Sequence, residues 1–148
     1  MSGPPPAGPP PPAPISLDLE WQGDLVFRGD AAGVSLVLDS GGRAGPSPVQ
    51  ALAFALAGCM AIDVVHILRK GRLDPKAVHA RLDAERSPTD PKRILAARLH
   101  FTVAGDVPPD KVERAIALSR ETYCSVWHSL RVEIDFRTSF EVGRPDPR

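Results

Sequence analysis

The sequence predicts a chain of the α/β (α+β) class, and three observations carry that expectation. Residues 15–22 alternate between apolar and polar side chains, residues 47–70 form one long apolar helical stretch bounded by start and stop signals, and residues 78–104 alternate again around a turn. Each element follows from its local chemistry.

The chain opens on a tract with almost nothing to bury. Eight of its 17 prolines fall within the first fourteen positions, among Met, Ser, Gly and Ala only. Such a composition samples extended polyproline conformations, so residues 1–14 are expected to be a disordered Pro-rich arm. Residues 15–143 are then one folded domain of ordinary size, with 144–148 as a tail.

Ile15, Leu17, Leu19 and Trp21 alternate with Ser16, Asp18, Glu20 and Gln22, the period of a half-buried strand. Two further apolar runs, 25–27 and 34–38, follow across turns at Gly23, Gly29 and Gly33, which predicts an antiparallel meander. Ser47-Pro48 then gives an N-cap and a proline at the first helical position. The helix is expected to run to Lys70, with Gly71 as its stop and Arg69 and Lys70 suiting the negative end of the dipole. A helix this apolar on all sides needs covering on all sides, which one domain of this size does not supply, so a second subunit is implied. Residues 78–85 and 94–104 make a hairpin around Ser87-Pro88-Thr89-Asp90-Pro91. A second helix starts near Pro108-Pro109 and stops near Tyr123. Cys124 and a short turn at 125–130 lead to a last strand over 132–142.

Composition excludes several functions. Lys plus Arg and Asp plus Glu are 18 each and scattered, which disfavours nucleic acid as the main partner. The uncharged apolar run 51–62 is well short of the roughly 20 residues that cross a bilayer, so no membrane partner is expected. The N-terminus lacks a basic start and an apolar run, which favours a cytoplasmic protein. Two cysteines in such a chain point to reactive thiols, metal ligands or inert core residues.

The chemistry gathers on the long helix. Leu52, Cys59, Asp63, His66 and Lys70 lie within about 60° of one another at 100° per residue. A thiol, a carboxylate and an imidazole thus share one stripe, either as an inert cysteine beside polar groups that satisfy each other or as a reactive centre. Cys59 lies too far from either helix end for the dipole to activate it, so a cation from elsewhere is required. Gly58 suggests a close approach of another backbone or a ligand beside it. No C-x-x-C or H-x-x-x-H spacing occurs among the two cysteines, His66, His79, His100 and His128, so no metal site is expected. Phosphate-loop and G-x-S-x-G signatures are likewise missing.

The run from Pro46-Ser47-Pro48 through Leu56-Ala57-Gly58-Cys59 to Ile67-Leu68-Arg69-Lys70-Gly71-Arg72 resembles the central helix of the OsmC/Ohr family, the osmotically inducible and organic hydroperoxide resistance proteins, in its YhfA-like branch. Ser119-Arg120-Glu121-Thr122-Tyr123-Cys124-Ser125-Val126 resembles that family's second cysteine motif. The resemblance implies an OsmC-like fold in which antiparallel sheets wrap a long central helix and two chains intertwine into a homodimer. It also implies a thiol-dependent peroxidase: Cys59 attacks an organic hydroperoxide, Cys124 resolves the sulfenic acid as a disulfide, and a dithiol, possibly on a lipoyl protein, reduces it. No cofactor is implied. The activating cation would be Arg28, with Arg43 second. Candidates for the substrate-binding surface are Gln50, Leu52, Phe54, Asp63 and Trp127, with Leu56 adding to the apolar lining. The usual glutamate at the helix start falls on Val49 here, and Gln50 is left to orient an arginine by hydrogen bonding. A redox or ligand-binding module with little turnover is the alternative. A hydrolase with Cys59 as nucleophile is disfavoured, because His66 is two turns, about 10 Å, along the axis.

Overall fold

The computed structural model describes residues 3–143. The expected tail at 144–148 and the first two residues of the arm lie outside the described residues. The chain divides after Pro48 into two compact units.

The first unit is the expected meander. Strands β1 (Asp18–Gly23), β2 (Val26–Ala31) and β3 (Val34–Asp39) pair antiparallel in the order β1-β2-β3, with Trp21 opposite Phe27 and Phe27 opposite Leu38. Residues 3–17 carry neither helix nor strand and are exposed. The half-burial predicted by the alternation is not reached within this unit: Leu19 is 54% exposed and Trp21 64%. The unit has one sheet and no helix of its own to lay over it. Leu19, Leu25, Phe27 and Leu38 instead line an apolar cavity of about 320 Å³ with Ser40 and Pro48.

Asp39 organises the loop that follows β3. Its buried carboxylate accepts the backbone N–H groups of Gly41 (2.7 Å), Arg43 (3.0 Å) and Ala44 (2.9 Å), and these three donors hold its pKa below the usual value. Glycine is required at Gly45, where a Cβ would stand 2.1 Å from the carbonyl oxygen of Val37.

The second unit is built on α1 (Pro48–Lys70), whose limits match the sequence expectation. Its length and mean hydropathy of 2.1 would suit a membrane span, but Leu56, Met60, Val64 and Leu68, one residue per turn, form a stripe of core. The helix stop is made one residue later than expected. Leu73 N–H closes on Leu68 O at 2.9 Å and Arg72 N–H on Arg69 O at 2.9 Å, so the left-handed residue is Arg72 (φ 63°), not Gly71. Packing of Leu73 against the core selects that register.

Strands β4 (Ala77–Arg86) and β5 (Ile94–Ala104) form the expected antiparallel hairpin. The last strand, β6 (Asp135–Gly143), starts later than expected, and Val132 is exposed. It also pairs with β5 in parallel, with Leu99 opposite Thr138, which corrects the expectation of purely antiparallel sheets. The cause is the connection. Helix α2 (Pro109–Leu118), a π-helical turn (Ser119–Tyr123) and the short α3 (Ser125–His128) form a crossover long enough to return the chain to the starting end of β5. The core lies between the α1 stripe, the inward residues Ala97, Leu99, Phe101 and Val103 of β5, and Val112, Ala115 and Ile116 of α2. Two small sheets with helices make this a mixed α+β chain.

Candidate active site

Three elements of the second unit converge on one point. Cys59 and Asp63, one turn apart, project from α1. The π-helical turn begins at the fully buried Ser119, whose hydroxyl donates to Asp63 Oδ2 at 2.8 Å. That turn closes with Cys124 N–H on Ser119 O at 2.7 Å, a wide ring that carries Cys124 off the end of the helix. Cys124 then caps α3, its sulfur accepting the backbone N–H of Trp127 at 3.3 Å.

Both thiols are free, and the two sulfurs and a carboxylate oxygen of Asp63 all lie within 4.8 Å of one another. Their surroundings differ. Cys124 is fully buried, whereas Cys59 is half-buried, with its sulfur 4.0 Å from the exposed Ser125 hydroxyl. Burial pushes the Cys124 pKa up to about 11, against the Trp127 N–H that favours thiolate, and Cys59 and Asp63 raise it further. Cys124 is therefore a neutral thiol near pH 7.

The predicted substrate residues do not share one pocket. Gln50 and Phe54 line a cavity of about 240 Å³ with Ala53, Ala57, Ala80 and Leu82. Asp63 lines another, about 480 Å³, with His66, Lys70 and Tyr123. The helix explains the separation, since Phe54 is about 140° around α1 from Cys59. Leu52 does share the face of Cys59 and is 40% exposed, while Leu56 is core. The Trp127 ring is occupied by packing, 4.5 Å from Phe136 and beneath the Arg120 guanidinium at 5.8 Å. Gly58 is not pressed from within the chain: a Cβ there would meet nothing within 4 Å. Arg28 belongs to the first unit, where its Nε pairs with Asp30 at 3.3 Å, and Arg43 contributes its N–H to the Asp39 loop.

Sequence reasoning missed Ser119 and Ser125 as members of the site. Both stand in the second cysteine motif, but no local pattern distinguishes a serine that reaches a helix 56 residues away from one that faces solvent.

The model of the family described as OsmC-like protein matches residues 40–139. The protein YhfA of Escherichia coli K12 is 39% identical over 127 residues, covering 84% of this chain and 95% of its own length. A hypothetical protein from Aquifex aeolicus VF5 superposes with a TM-score of 0.83 at 25% identity, over 90% of this chain and 99% of that one. An organic hydroperoxide resistance protein OsmC from Legionella pneumophila superposes with a TM-score of 0.66 at 19% identity, over 88% of this chain and 98% of that one, a likeness of fold alone.

Proposed function

Because this chain belongs to the OsmC-like protein family, we propose that it is a thiol-dependent peroxidase that reduces organic hydroperoxides through a two-cysteine cycle. The observation that carries the reading is the convergence of a half-buried and a fully buried thiol, 65 residues apart in sequence, within 4.8 Å. In the first step the Cys59 thiolate attacks the distal peroxide oxygen. The O–O bond breaks, the alcohol leaves with a proton, and Cys59 becomes a sulfenic acid. Cys124 then attacks the Cys59 sulfur, its proton leaves with the hydroxyl as water, and a disulfide forms. A dithiol such as a dihydrolipoyl group restores both thiols by taking the disulfide itself, becoming the lipoyl form. Arg28 or Arg43 is the cation assigned to activate Cys59, and the apolar Leu52 on the same face suits an organic substrate.

The same reading includes an intertwined homodimer. Phe54 and Ile62 are 70% and 71% exposed and, with Gly58 between them at four-residue spacing, make an apolar face of α1 with room for close approach. The uncovered apolar face of the first unit's sheet needs the same cover.

The experiment is peroxide consumption with dihydrolipoamide as reductant, comparing cumene hydroperoxide with hydrogen peroxide. Faster turnover of cumene hydroperoxide is expected, together with loss of consumption in Cys59→Ser. Cys124→Ser should reduce one equivalent and trap a sulfenic acid at Cys59 as a dimedone adduct. Adduct on Cys124 in Cys59→Ser at the wild-type rate would reverse the assignment. A redox or ligand-binding module is the second reading, favoured by Val49 and by the lack of any acidic residue in the first turn of α1. Absence of turnover with either peroxide would select it.

A further inference from the structure

We propose that the reduced site binds one Zn²⁺ per chain through Cys59, Cys124 and Asp63, with water as the fourth ligand, and that disulfide formation releases it. No sequence spacing announces this site. The tertiary fold nevertheless assembles two sulfurs and a carboxylate oxygen, all within 4.8 Å of one another.

That donor set is one zinc accepts. With Zn–S bonds near 2.3 Å and Zn–O near 2.0 Å, tetrahedral ligands stand about 3.5–3.8 Å apart, so a contraction of roughly 1 Å by side-chain rotation completes the geometry. Thiolates select zinc over magnesium or calcium, which prefer all-oxygen shells. The supports that orient metal ligands are also in place. Ser119 donates to Asp63 Oδ2 at 2.8 Å, directing the carboxylate, and Trp127 N–H donates to Cys124 Sγ at 3.3 Å, which favours the thiolate a metal needs. Among the described residues no ion pair involves Asp63. The half-exposed Cys59 and the exposed Ser125 provide the route in.

Both sulfurs bind the metal as thiolates, so metal uptake displaces thiol protons and affinity rises with pH. A two-electron oxidant forms the Cys59–Cys124 bond and takes both sulfurs from the metal, which leaves as Zn²⁺. The reduced protein is thereby a zinc holder and the oxidised protein is not, and bound zinc shields the thiols from oxidants. Metal binding stands on the geometry alone. Only the shielding against peroxide rests on the peroxidase reading.

The test titrates the reduced full chain with Zn²⁺ against a chromophoric chelator, and with Co²⁺ followed by its sulfur-to-metal charge-transfer band. One equivalent per chain with a Kd below about 10 μM is expected. Cys59→Ser and Cys124→Ser should each weaken binding at least about 100-fold, and Ser119→Ala, which removes only the orienting hydroxyl, by about 10-fold. The wild type oxidised with diamide, itself reduced to the hydrazine, should release its zinc and needs no variant. Overturning results are no binding below 10 μM in the reduced protein, one equivalent retained by the disulfide form, retention in either cysteine variant, or one zinc per two chains. Zinc binding, together with no peroxide turnover by the metal-free reduced protein, would leave this inference standing and reject the peroxidase.

Discussion

The Ser119–Asp63 hydrogen bond is the tie between the crossover and α1, and its removal has a calculable effect. Ser119 is 0% exposed and its hydroxyl stands 2.8 Å from Asp63 Oδ2. A hydrogen bond to a charged acceptor contributes about 1.5–3 kcal/mol, and replacing serine by alanine leaves only a hydroxyl-sized gap that costs little more. Ser119→Ala should therefore destabilise the protein by about 2 kcal/mol, a fall in Tm of about 7 °C for a folded body of this size. The assay is urea unfolding at one fixed protein concentration, because the proposed dimer would make apparent stability concentration-dependent. The midpoint should fall with the m-value unchanged. Attribution to the pair comes from a double-mutant cycle with Asp63→Ala, in which a coupling of about 1–2 kcal/mol is expected. A loss below about 0.5 kcal/mol, or additivity across the cycle, would refute the tie and with it the reason Asp63 faces the thiols.

Arg72 holds a left-handed conformation at the end of α1, so Arg72→Gly should raise stability by about 1 kcal/mol, and a destabilised variant in urea unfolding would reject the helix stop described here. The folded-state pKa of Cys124, about 11, exceeds the ordinary 9.0, so between those values the unfolded chain has lost a proton that the folded chain keeps. Stability from this thiol is present below pH 9.0 and falls as pH rises towards 11, by on the order of 1–2 kcal/mol after solvent screening. Comparing wild type with Cys124→Ala over that range should show the steeper decline in the wild type, and equal slopes would contradict the shift. Light scattering should report a mass twice the 15.9 kDa of the chain, and a monomer across micromolar concentrations would remove the proposed cover for α1. Gly45→Ala should disrupt the loop after β3, since no rotamer relieves a contact of 2.1 Å with backbone, and an unchanged Tm would count against the loop geometry.

Elements whose causes are local were legible in the order of residues. Proline after serine starts α1, and the turn residues between 87 and 91 fold β4 against β5, because each effect acts over a few neighbouring residues. Even the helix stop shows the limit of this reasoning: Gly71 carries the local signal, yet the left-handed residue is Arg72, because packing the partly buried Leu73 against the core outweighs the strain. The parallel pairing of β6 with β5 was not legible, since alternation of side chains is the same in either direction and only the crossover decides it. The stripe on α1 identified Cys59 and Asp63, but not what meets them. Packing of α2 and the π-helical turn against α1 brings Ser119 and Cys124 to that stripe from 56 and 65 residues beyond Asp63 and Cys59. Helical periodicity ranks residues by face, whereas which neighbour covers each face is decided by how distant segments fill the core, and that is information only the folded chain contains.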